Sequence, residues 1–278
     1  MADNYLITGY RGEAHVTAEN DRCIHAAAFG TGRFVLPIGE QFRAEYIGSN
    51  KIRIHSGMLM DNGTAAGIPI GESVDLSVYN AGQGMKRNDL IVFAYTKNSS
   101  TLIESGVFKV VMGTETSGTP SDPTLTQNDL LSGRAGVENM PLWRVTVEGT
   151  SIGTPVRVSP VVWQNPPMEE GVEYCTSEFF NGKRVYTMLV KYQHTATIGS
   201  TTSNTDIEIS NVIDGFKYLV SCEVSNSLND GRYTFPHVSN SGGIVLVESV
   251  AWNKITLRLF KRDWAASTWY FRIKYTKD

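Results

Sequence analysis

Two apolar segments joined by a polar one constrain the fold of this chain more than any other feature of the sequence. Leu90–Thr96 and Gly106–Met112 are rich in β-branched and aromatic residues, whereas Lys97–Ser105 between them is rich in asparagine and serine. Apolar runs of this length and type predict β-strands, and the polar segment predicts the loop that joins them. We therefore expect a β-hairpin across Gly82–Gly113, in the core of an all-β domain.

An alternation of apolar and polar residues with a period of two extends this prediction upstream, from Arg33 to Tyr79. The alternation is clearest in the segments 42–46, 51–55 and 74–79. Gly48–Asn50 and Asp61–Gly63 have the composition of tight turns. The sequence therefore predicts a β-meander that the hairpin continues.

One short helix is predicted in the first half of the chain, at Leu125–Gly133. The Thr126 side chain suits the N-cap of such a helix, and Gly133 suits its C-terminal end. Residues 1–32 are rich in glycine and alternate only weakly. We expect ordinary strands and turns there.

The clearest candidate for a domain boundary is the pair Pro166–Pro167. Adjacent prolines remove backbone donors and favour extended linker geometry. Leu142–Val147 and Val156–Val162 are predicted to be the last strands before it. The sequence therefore predicts a β-rich N-terminal domain of residues 1–167 and a C-terminal domain of residues 168–278.

The second domain contains a denser series of alternating segments, which predicts a compact antiparallel β-sandwich. The predicted strands are 184–192, 207–211, 216–224, 243–250, 254–261 and 268–276. In the last strand one face is apolar, and it consists of Trp269, Phe271, Ile273 and Tyr275.

Charge, hydropathy and cysteine content narrow the classes of function. The net charge of −3 gives no basic excess of the kind that nucleic-acid binding requires. No apolar run reaches the ~18 residues of a membrane-spanning helix, and Met1–His15 lacks the features of a signal peptide. Cys23, Cys175 and Cys222 are scattered, which disfavours a disulfide framework and favours synthesis in a reducing cytoplasm.

Motifs for catalysis, metal binding and cofactor binding are not found in the sequence. It contains no G-x-S-x-G, no P-loop, no H-E-x-x-H and no dinucleotide fingerprint. His15, Cys23 and His25 lack the spacing of metal ligands. We therefore expect a protein that is not an enzyme and that has no metal and no cofactor.

Four carboxylates lie close to the predicted boundary, beside aromatic residues. Paired carboxylates can hydrolyse glycosides, so a glycoside hydrolase or an esterase stays open as a less favoured alternative. Charge runs are usually solvated, and we interpret these residues as part of an exposed linker. They are Glu169, Glu170, Glu173 and Glu178.

Several aromatic and polar residues at predicted strand ends and loops of the second domain suit carbohydrate binding. Loops on a rigid sandwich are common binding sites, and such sites combine apolar walls with a few polar groups. The alternative is that the large aromatic residues are half-buried at the sheet edges. The candidate ligand-binding residues are Tyr233, His237, Trp252, Asp263 and Trp264.

The N-terminal domain carries a pattern spread over many positions. A glycine-rich turn precedes R-x-D-L-I-V, then a paired strand ending in G-T and a tract of Ser, Gly, Pro and Asp. The residues concerned are Ile7–Gly12, Gly84, Arg87, Asp89–Val92, Gly113, Thr114, Ser117–Pro123 and Met140–Val145. In this pattern the domain resembles tail and baseplate proteins of siphophages and prophages of Gram-positive gut bacteria.

The C-terminal domain carries an independent pattern, with a T-x-E … G-K-x-V-Y opening and a final aromatic strand ending in Y-T-K. Its residues are Thr176, Glu178, Gly182, Lys183, Val185, Tyr186, Tyr275, Thr276 and Lys277. This pattern resembles a β-sandwich module at the distal end of many prophage tail fibres.

The two resemblances imply one function. They imply a homotrimeric virion protein of the phage tail, made in the host cytoplasm. Its N-terminal domain would bind other tail or baseplate proteins, and its C-terminal domain would bind host cell-wall polysaccharide or another surface glycan without catalysis. The main alternative is a purely architectural baseplate component whose C-terminal domain binds another tail protein.

Overall fold

The structure is a computed structural model that describes residues 16–194, 203–208, 215–226, 232–233, 237–238, 244–251, 254–260 and 267–278, with side chains at 16–191, 215–223 and 270–278. These residues form one helix and nineteen strands in four sheets. The chain is therefore all-β, as the sequence predicts.

Residue contacts divide the chain into two compact units, Met1–Val162 and Trp163–Asp278. The boundary predicted from the sequence lies five residues later, between positions 167 and 168. Pro166 and Pro167 therefore belong to the second unit in the structure.

The helix of the described chain is α1 (Ala18–Phe29), and Thr17 caps it by accepting a hydrogen bond from the Asn20 amide at 3.3 Å. The prediction of strands and turns in this region was therefore wrong for these residues. The sequence signal for this helix is local but weak. Thr17 suits an N-cap and the run of alanines before Phe29 favours a helix, but the segment has no clear apolar stripe.

The helix predicted at Leu125–Gly133 was also wrong, because this segment forms an extended stretch and then a turn. The Asn139 amide donates to the Thr126 carbonyl, which pairs this stretch with a neighbouring strand. The Asn128 amide donates to the Glu138 carboxylate. Backbone groups that a helix would need are therefore used in contacts with another part of the chain.

The first sheet of unit 1 is the predicted meander, but the strand predicted at 42–46 begins only at Ala44, because Phe42 lies in a turn with a φ of +55°. Its strands are β1 (Arg33–Leu36), β2 (Ala44–Gly48), β3 (Lys51–Asp61) and β4 (Thr64–Ser77). β4 pairs along the whole of β3, so β1 and β2 share the other edge of β3. The predicted turns are confirmed, since Ser49–Asn50 and Asn62–Gly63 both have the two consecutive positive φ angles of a type I′ hairpin.

The second sheet of unit 1 contains the predicted hairpin. Its strands are β5 (Lys86–Lys97), β6 (Glu104–Val111), β7 (Gly136–Glu148), β8 (Ser151–Ile152) and β9 (Val156–Arg157). β5 pairs with β6 from Leu90 opposite Val111 to Lys97 opposite Glu104, which confirms the hairpin. β7 pairs with the other edge of β5, and β8 and β9 pair with β7.

The core of unit 1 draws on both sheets. Its fully buried residues include Ile52, Ile54 and Leu59 of β3 and Ile91 of β5. The opposite face of β5 is also buried, with Val92 against the half-buried Leu125. β5 is thus the central strand of the unit and is buried on both faces, which explains its almost continuous apolar sequence.

Unit 2 contains two further sheets. In chain order its strands are β10 (Val162–Trp163), β11 (Glu173–Phe180), β12 (Lys183–His194), β13 (Ser203–Glu208), β14 (Phe216–Asn226), β15 (Arg232–Tyr233), β16 (His237–Val238), β17 (Ile244–Ala251), β18 (Lys254–Phe260) and β19 (Ser267–Lys277). One sheet has the order β10-β11-β12-β19-β14-β15 and the other β13-β18-β17-β16. Two sheets with antiparallel ladders agree with the predicted sandwich.

The predicted alternation in the last strand is confirmed where side chains are described. Phe271, Ile273 and Tyr275 are at most 1% exposed, whereas Arg272 and Lys274 between them are half-buried. The side chain of Trp269 lies outside the described part. The polar face of β19 becomes important for the candidate site.

Candidate functional site

The structure describes the backbone of two of the five candidate ligand-binding residues, Tyr233 and His237. Tyr233 lies in β15 opposite Val224, and His237 lies in β16 opposite Val245, so their backbones belong to different sheets. Trp252, Asp263 and Trp264 lie outside the described residues. Carbohydrate binding by these five side chains stays a prediction.

A polar pocket of about 230 Å³ lies on one face of the larger sheet of unit 2. Strands β11, β12 and β19 form one side of it, and the segment 164–168 forms the other. Its polar lining comes from Gln164, Asn165, Glu178, Thr187, Arg272 and Lys274. The sequence predicts an extended linker around Pro166–Pro167, but in the structure the segment 164–168 lines a cavity.

Strand register places the pocket residues on one face. Thr187 of β12 lies directly opposite Lys274 of β19, and Arg272 lies two residues along the same strand. The neighbouring positions Met188 and Ile273 point to the opposite, apolar face. Because side chains alternate along a strand, the same pattern that builds the core also aligns the polar residues.

Two side-chain contacts connect the segment 164–168 to the sheet. The Ser177 hydroxyl donates to the Gln164 side-chain oxygen at 2.9 Å. The Thr187 hydroxyl lies 4.0 Å from the Met168 sulfur. Met168 also has a φ of +58°, so the chain bends sharply at this residue.

The charges in the pocket are paired. The Lys274 ammonium lies 2.6 Å from the Glu178 carboxylate, and the Arg272 guanidinium lies 3.3 Å from the Glu223 carboxylate. Side chains of these four residues are between 28% and 51% exposed, so solvent reaches them. The pocket is therefore polar, accessible and close to electrically neutral.

The other carboxylates near the boundary also have cationic partners. Glu170 lies 3.5 Å from Lys191, and Glu173 lies 2.8 Å from Lys277. Glu173 also accepts a hydrogen bond from the buried Tyr275 hydroxyl. Burial and this carboxylate raise the pKa of Tyr275. Glu173 therefore ties β11 to β19, the last strand of the unit, which is a structural role rather than the solvated linker expected.

In unit 1, the residues of the first resemblance pattern form a polar network. Arg87 forms a bidentate pair with Asp89, at 2.8 and 3.1 Å, and donates to the Asn80 carbonyl at 3.0 Å. Asp89 is fully buried and accepts a hydrogen bond from the Gly113 amide at 3.1 Å. The pair thus fixes the segments before and after the hairpin.

The Ser117–Pro123 tract is fixed in the same way. Asn88 donates to the Asp122 carboxylate at 2.9 Å, and Arg144 of β7 donates to the same carboxylate at 2.6 Å. The Thr146 hydroxyl donates to Asn88 at 2.9 Å. The tract is therefore attached to two neighbouring strands.

A cleft of about 590 Å³ lies between β4 and β6 of unit 1. Within the described part of the chain, each of these strands pairs on one side only. Phe93 and Phe108 line the cleft with their ring centroids 5.2 Å apart, and Ile68 lines it from β4. Val107 lines it at 58% exposure, and Ile70 nearby on β4 is 79% exposed. The cleft therefore combines these apolar side chains with polar ones such as Glu72 and Glu104, and it borders the unpaired edges of β4 and β6.

Two candidate sites in the structure, the pocket and the cleft, were missed from the sequence. The pocket could have been suspected from the regular alternation of Arg272 and Lys274 with buried residues in β19, together with Glu178, which was identified only as part of an acidic cluster. The cleft has no local signal, because β4 and β6 become edges only when the sheets form.

The structure also bears on metal binding, on membrane-spanning helices and on the state of the cysteines. Among the residues it describes, no group of three or more His, Cys, Asp or Glu side chains is placed to hold a metal ion. No helix in the described part is both long and apolar enough to span a membrane. Cys23, Cys175 and Cys222 are free thiols, and burial raises the pKa of Cys175 to about 11.

Comparison with known proteins gives no assignment. No family model matches the chain. No curated protein sequence matches it either.

Proposed function

We propose that this chain is a structural component of a phage or prophage tail. It attaches to other tail or baseplate proteins through unit 1 and binds host-surface carbohydrate through unit 2, without catalysis. In this proposal the protein is a homotrimer that resides in the virion after synthesis in the bacterial cytoplasm.

The observation that carries the proposal is the cleft between β4 and β6, each of which pairs on one side only among the strands that the structure describes. Unpaired edge strands present backbone donors and acceptors to other chains, and proteins that stay monomeric usually block such edges. The exposed Ile70 and Val107 add apolar surface at the same place. A surface of this kind favours a protein that works in an assembly with other chains.

The residues of the two sequence resemblances give further support. In unit 1 they hold the hairpin and the Ser117–Pro123 tract together, and in unit 2 they include the stacked rings of Tyr186 and Tyr275, 6.1 Å apart. A pattern of this kind belongs to the scaffold, so it supports a shared fold more than a shared ligand.

A purely architectural role is the second candidate, and the same cleft supports it. In that case unit 2 binds another tail protein instead of a glycan. The hydrolase alternative receives less support, because Glu170, Glu173 and Glu178 each lie within 3.5 Å of a lysine ammonium. Such ion pairs suit structural roles for the carboxylates.

Incorporation into particles tests the assembly part of the proposal. A lysogen that produces Val107→Asp is expected to release particles with much less of this chain than wild type, measured by immunoblot. Val156→Asp is the matched control, because Val156 is 57% exposed and lies outside the cleft. Equal incorporation of both variants, or absence of the wild-type chain from particles, would contradict the proposal.

Mass and wall binding test the remaining parts. Light scattering of the full chain is expected to give about three times the 30.6 kDa of one chain. The full chain is also expected to sediment with purified polysaccharide from the host cell wall. A clean monomer at micromolar concentration argues against the trimer. Failure to sediment with the polysaccharide, together with capture of a tail protein by unit 2, favours the architectural role.

A further inference from the structure

We propose that the polar pocket of unit 2 binds one uncharged saccharide unit. This inference rests on the proposed function, because it assigns the carbohydrate binding of unit 2 to a defined place. The place differs from the loops and strand ends that the sequence indicates.

The size of the pocket limits its ligand. At about 230 Å³ it is smaller than the roughly 300–1,000 Å³ of pockets for drug-sized ligands. It therefore accepts one small molecule or one residue of a longer chain. The partial exposure of Glu178, Arg272 and Lys274 leaves an opening through which the rest of a polymer can continue.

The hydrogen-bonding groups match the chemistry of hydroxyls. A hydroxyl both donates and accepts, so its binding site needs both kinds of group. The Glu178 carboxylate accepts, the Arg272 and Lys274 side chains donate, and the Asn165 amide does both. These groups surround one small volume, as the several hydroxyls of a sugar ring require.

The charge balance favours an uncharged ligand over an anion. Lys274 is paired with Glu178 at 2.6 Å and Arg272 with Glu223 at 3.3 Å, so neither cation is left with an uncompensated charge. An anion such as phosphate would have to compete with these carboxylates for the same donors. A sugar hydroxyl can instead bridge the donor and the acceptor of the Lys274–Glu178 pair, both of which line the pocket.

The remaining wall of the pocket is apolar. Pro166 and Met168 contribute saturated carbon and sulfur atoms. A sugar ring has C–H faces as well as hydroxyl edges, so a wall of this kind can pack against one face while the polar groups bind the edges. The pocket thus combines the two surfaces that a saccharide presents.

Ligand-observed NMR with the full chain tests the inference. The probes are D-glucose, D-galactose, N-acetyl-D-glucosamine and L-rhamnose, with inorganic phosphate as the anionic contrast. We expect at least one of the neutral compounds to bind with a Kd in the millimolar range, as is usual for a ligand of about a dozen heavy atoms. Phosphate is expected to bind more weakly.

Two pocket variants and one matched control locate the site. Glu178→Gln and Asn165→Ala are each expected to weaken the binding of the neutral probe by about tenfold, the effect of losing a hydrogen bond to a polar ligand. Glu170→Gln removes the charge of a neighbouring carboxylate that pairs with Lys191 outside the pocket, and it is expected to bind as wild type.

The outcomes separate this inference from the proposed function. The inference is overturned if no neutral probe binds, if phosphate binds more tightly, or if both pocket variants bind like the control. If wild type and Glu178→Gln sediment equally with host wall polysaccharide, the pocket is not the site and the proposed function stands. If wild type binds a neutral probe but not the polysaccharide, the pocket assignment stands and the receptor part of the function fails.

Discussion

At the scale of single residues, the least expected feature is a group of buried charges between the two sheets of unit 1. Glu138 of β7 is fully buried and pairs with Arg33 of β1, whose guanidinium also lies 3.6 Å from the Asp61 carboxylate of β3. Two carboxylates thus share one arginine. Burial, with the charge of Glu138 added, raises the pKa of Asp61 from 3.8 to about 6.

This shift predicts how the stability of unit 1 depends on pH. Asp61 binds its proton more tightly in the folded chain, so its protonation stabilises the fold below about pH 4. That contribution is lost as the pH rises through about 6. A shift of this size corresponds to about 3 kcal/mol. Asp61→Asn is expected to flatten the dependence of the free energy of unfolding on pH between pH 4 and 6. The measurement is urea unfolding, with hydrogen exchange of β3 amides to follow unit 1.

The control for this prediction is Asp75→Asn. Asp75 forms an exposed pair with Arg53 at 2.7 Å, and the hydrogen bonds of that pair lower the pKa of Asp75. Its contribution to stability is therefore present at higher pH and is lost only in acid. The slope of the free energy of unfolding against pH between pH 4 and 6 should therefore be the same in this variant as in wild type. The same slope in Asp61→Asn and wild type would show that Asp61 does not cause it.

A glycine in the hairpin gives a second prediction at the residue scale. A Cβ at Gly106 would lie 2.2 Å from Cζ of Phe93, which is 8% exposed and packs against Phe108. Gly106→Ala is expected to lower the free energy of unfolding by about 1–3 kcal/mol, the usual cost of overpacking. In Gly118→Ala the new methyl meets nothing closer than 3.6 Å. Equal stability of the two variants in urea would contradict the steric argument.

At the scale of elements, charged and polar contacts connect α1 to the rest of unit 1. Arg22 is 3% exposed, donates to the Leu130 carbonyl at 3.1 Å and pairs with Glu104 of β6. Lys97 of β5 lies 2.5 Å from Glu19 and lowers the pKa of that carboxyl to about 2. The helix therefore joins the end of the hairpin to the turn that replaces the expected helix at 125–133.

This arrangement predicts the effect of removing Arg22. Arg22→Ala leaves the Leu130 carbonyl and Glu104 without this donor, and we expect a loss of about 2 kcal/mol. Hydrogen exchange of α1 amides should rise together with that of the Leu130 turn. Arg134→Ala, at an exposed arginine, is the control. Faster exchange in α1 alone would mean that the helix and the turn are not coupled through Arg22.

At the scale of the whole molecule, the chain consists of two units with separate cores. The core of unit 1 is built around β3 and β5, and that of unit 2 includes Val185, Phe271, Ile273 and Tyr275. Calorimetry is expected to resolve two unfolding transitions. Gly106→Ala should lower the temperature of the unit 1 transition. Tyr275→Phe loses the hydrogen bond to Glu173, so it should lower the temperature of the unit 2 transition, which corresponds to a loss of about 1 kcal/mol of stability. A shift of the same transition by both variants would contradict the prediction.

The sequence by itself determined the class of fold and its local geometry. The alternation in 51–55 and 268–276 and the turn at Asn62–Gly63 depend only on neighbouring residues. A strand places successive side chains on opposite faces, and a type I′ turn needs two positive φ angles. The same local argument predicted the hairpin from Gly82 to Gly113.

Only the tertiary structure decided which distant residues meet. Arg22 contacts Leu130 across 108 positions, and that contact accompanies a helix at 18–29 and a turn at 130–133. The segment 164–168 has the composition of a linker, yet it forms a pocket with β19. The cleft exists because β4 and β6 have no second partner among the described strands. Such features depend on free energies of contact between segments far apart in the chain, and no local pattern encodes them.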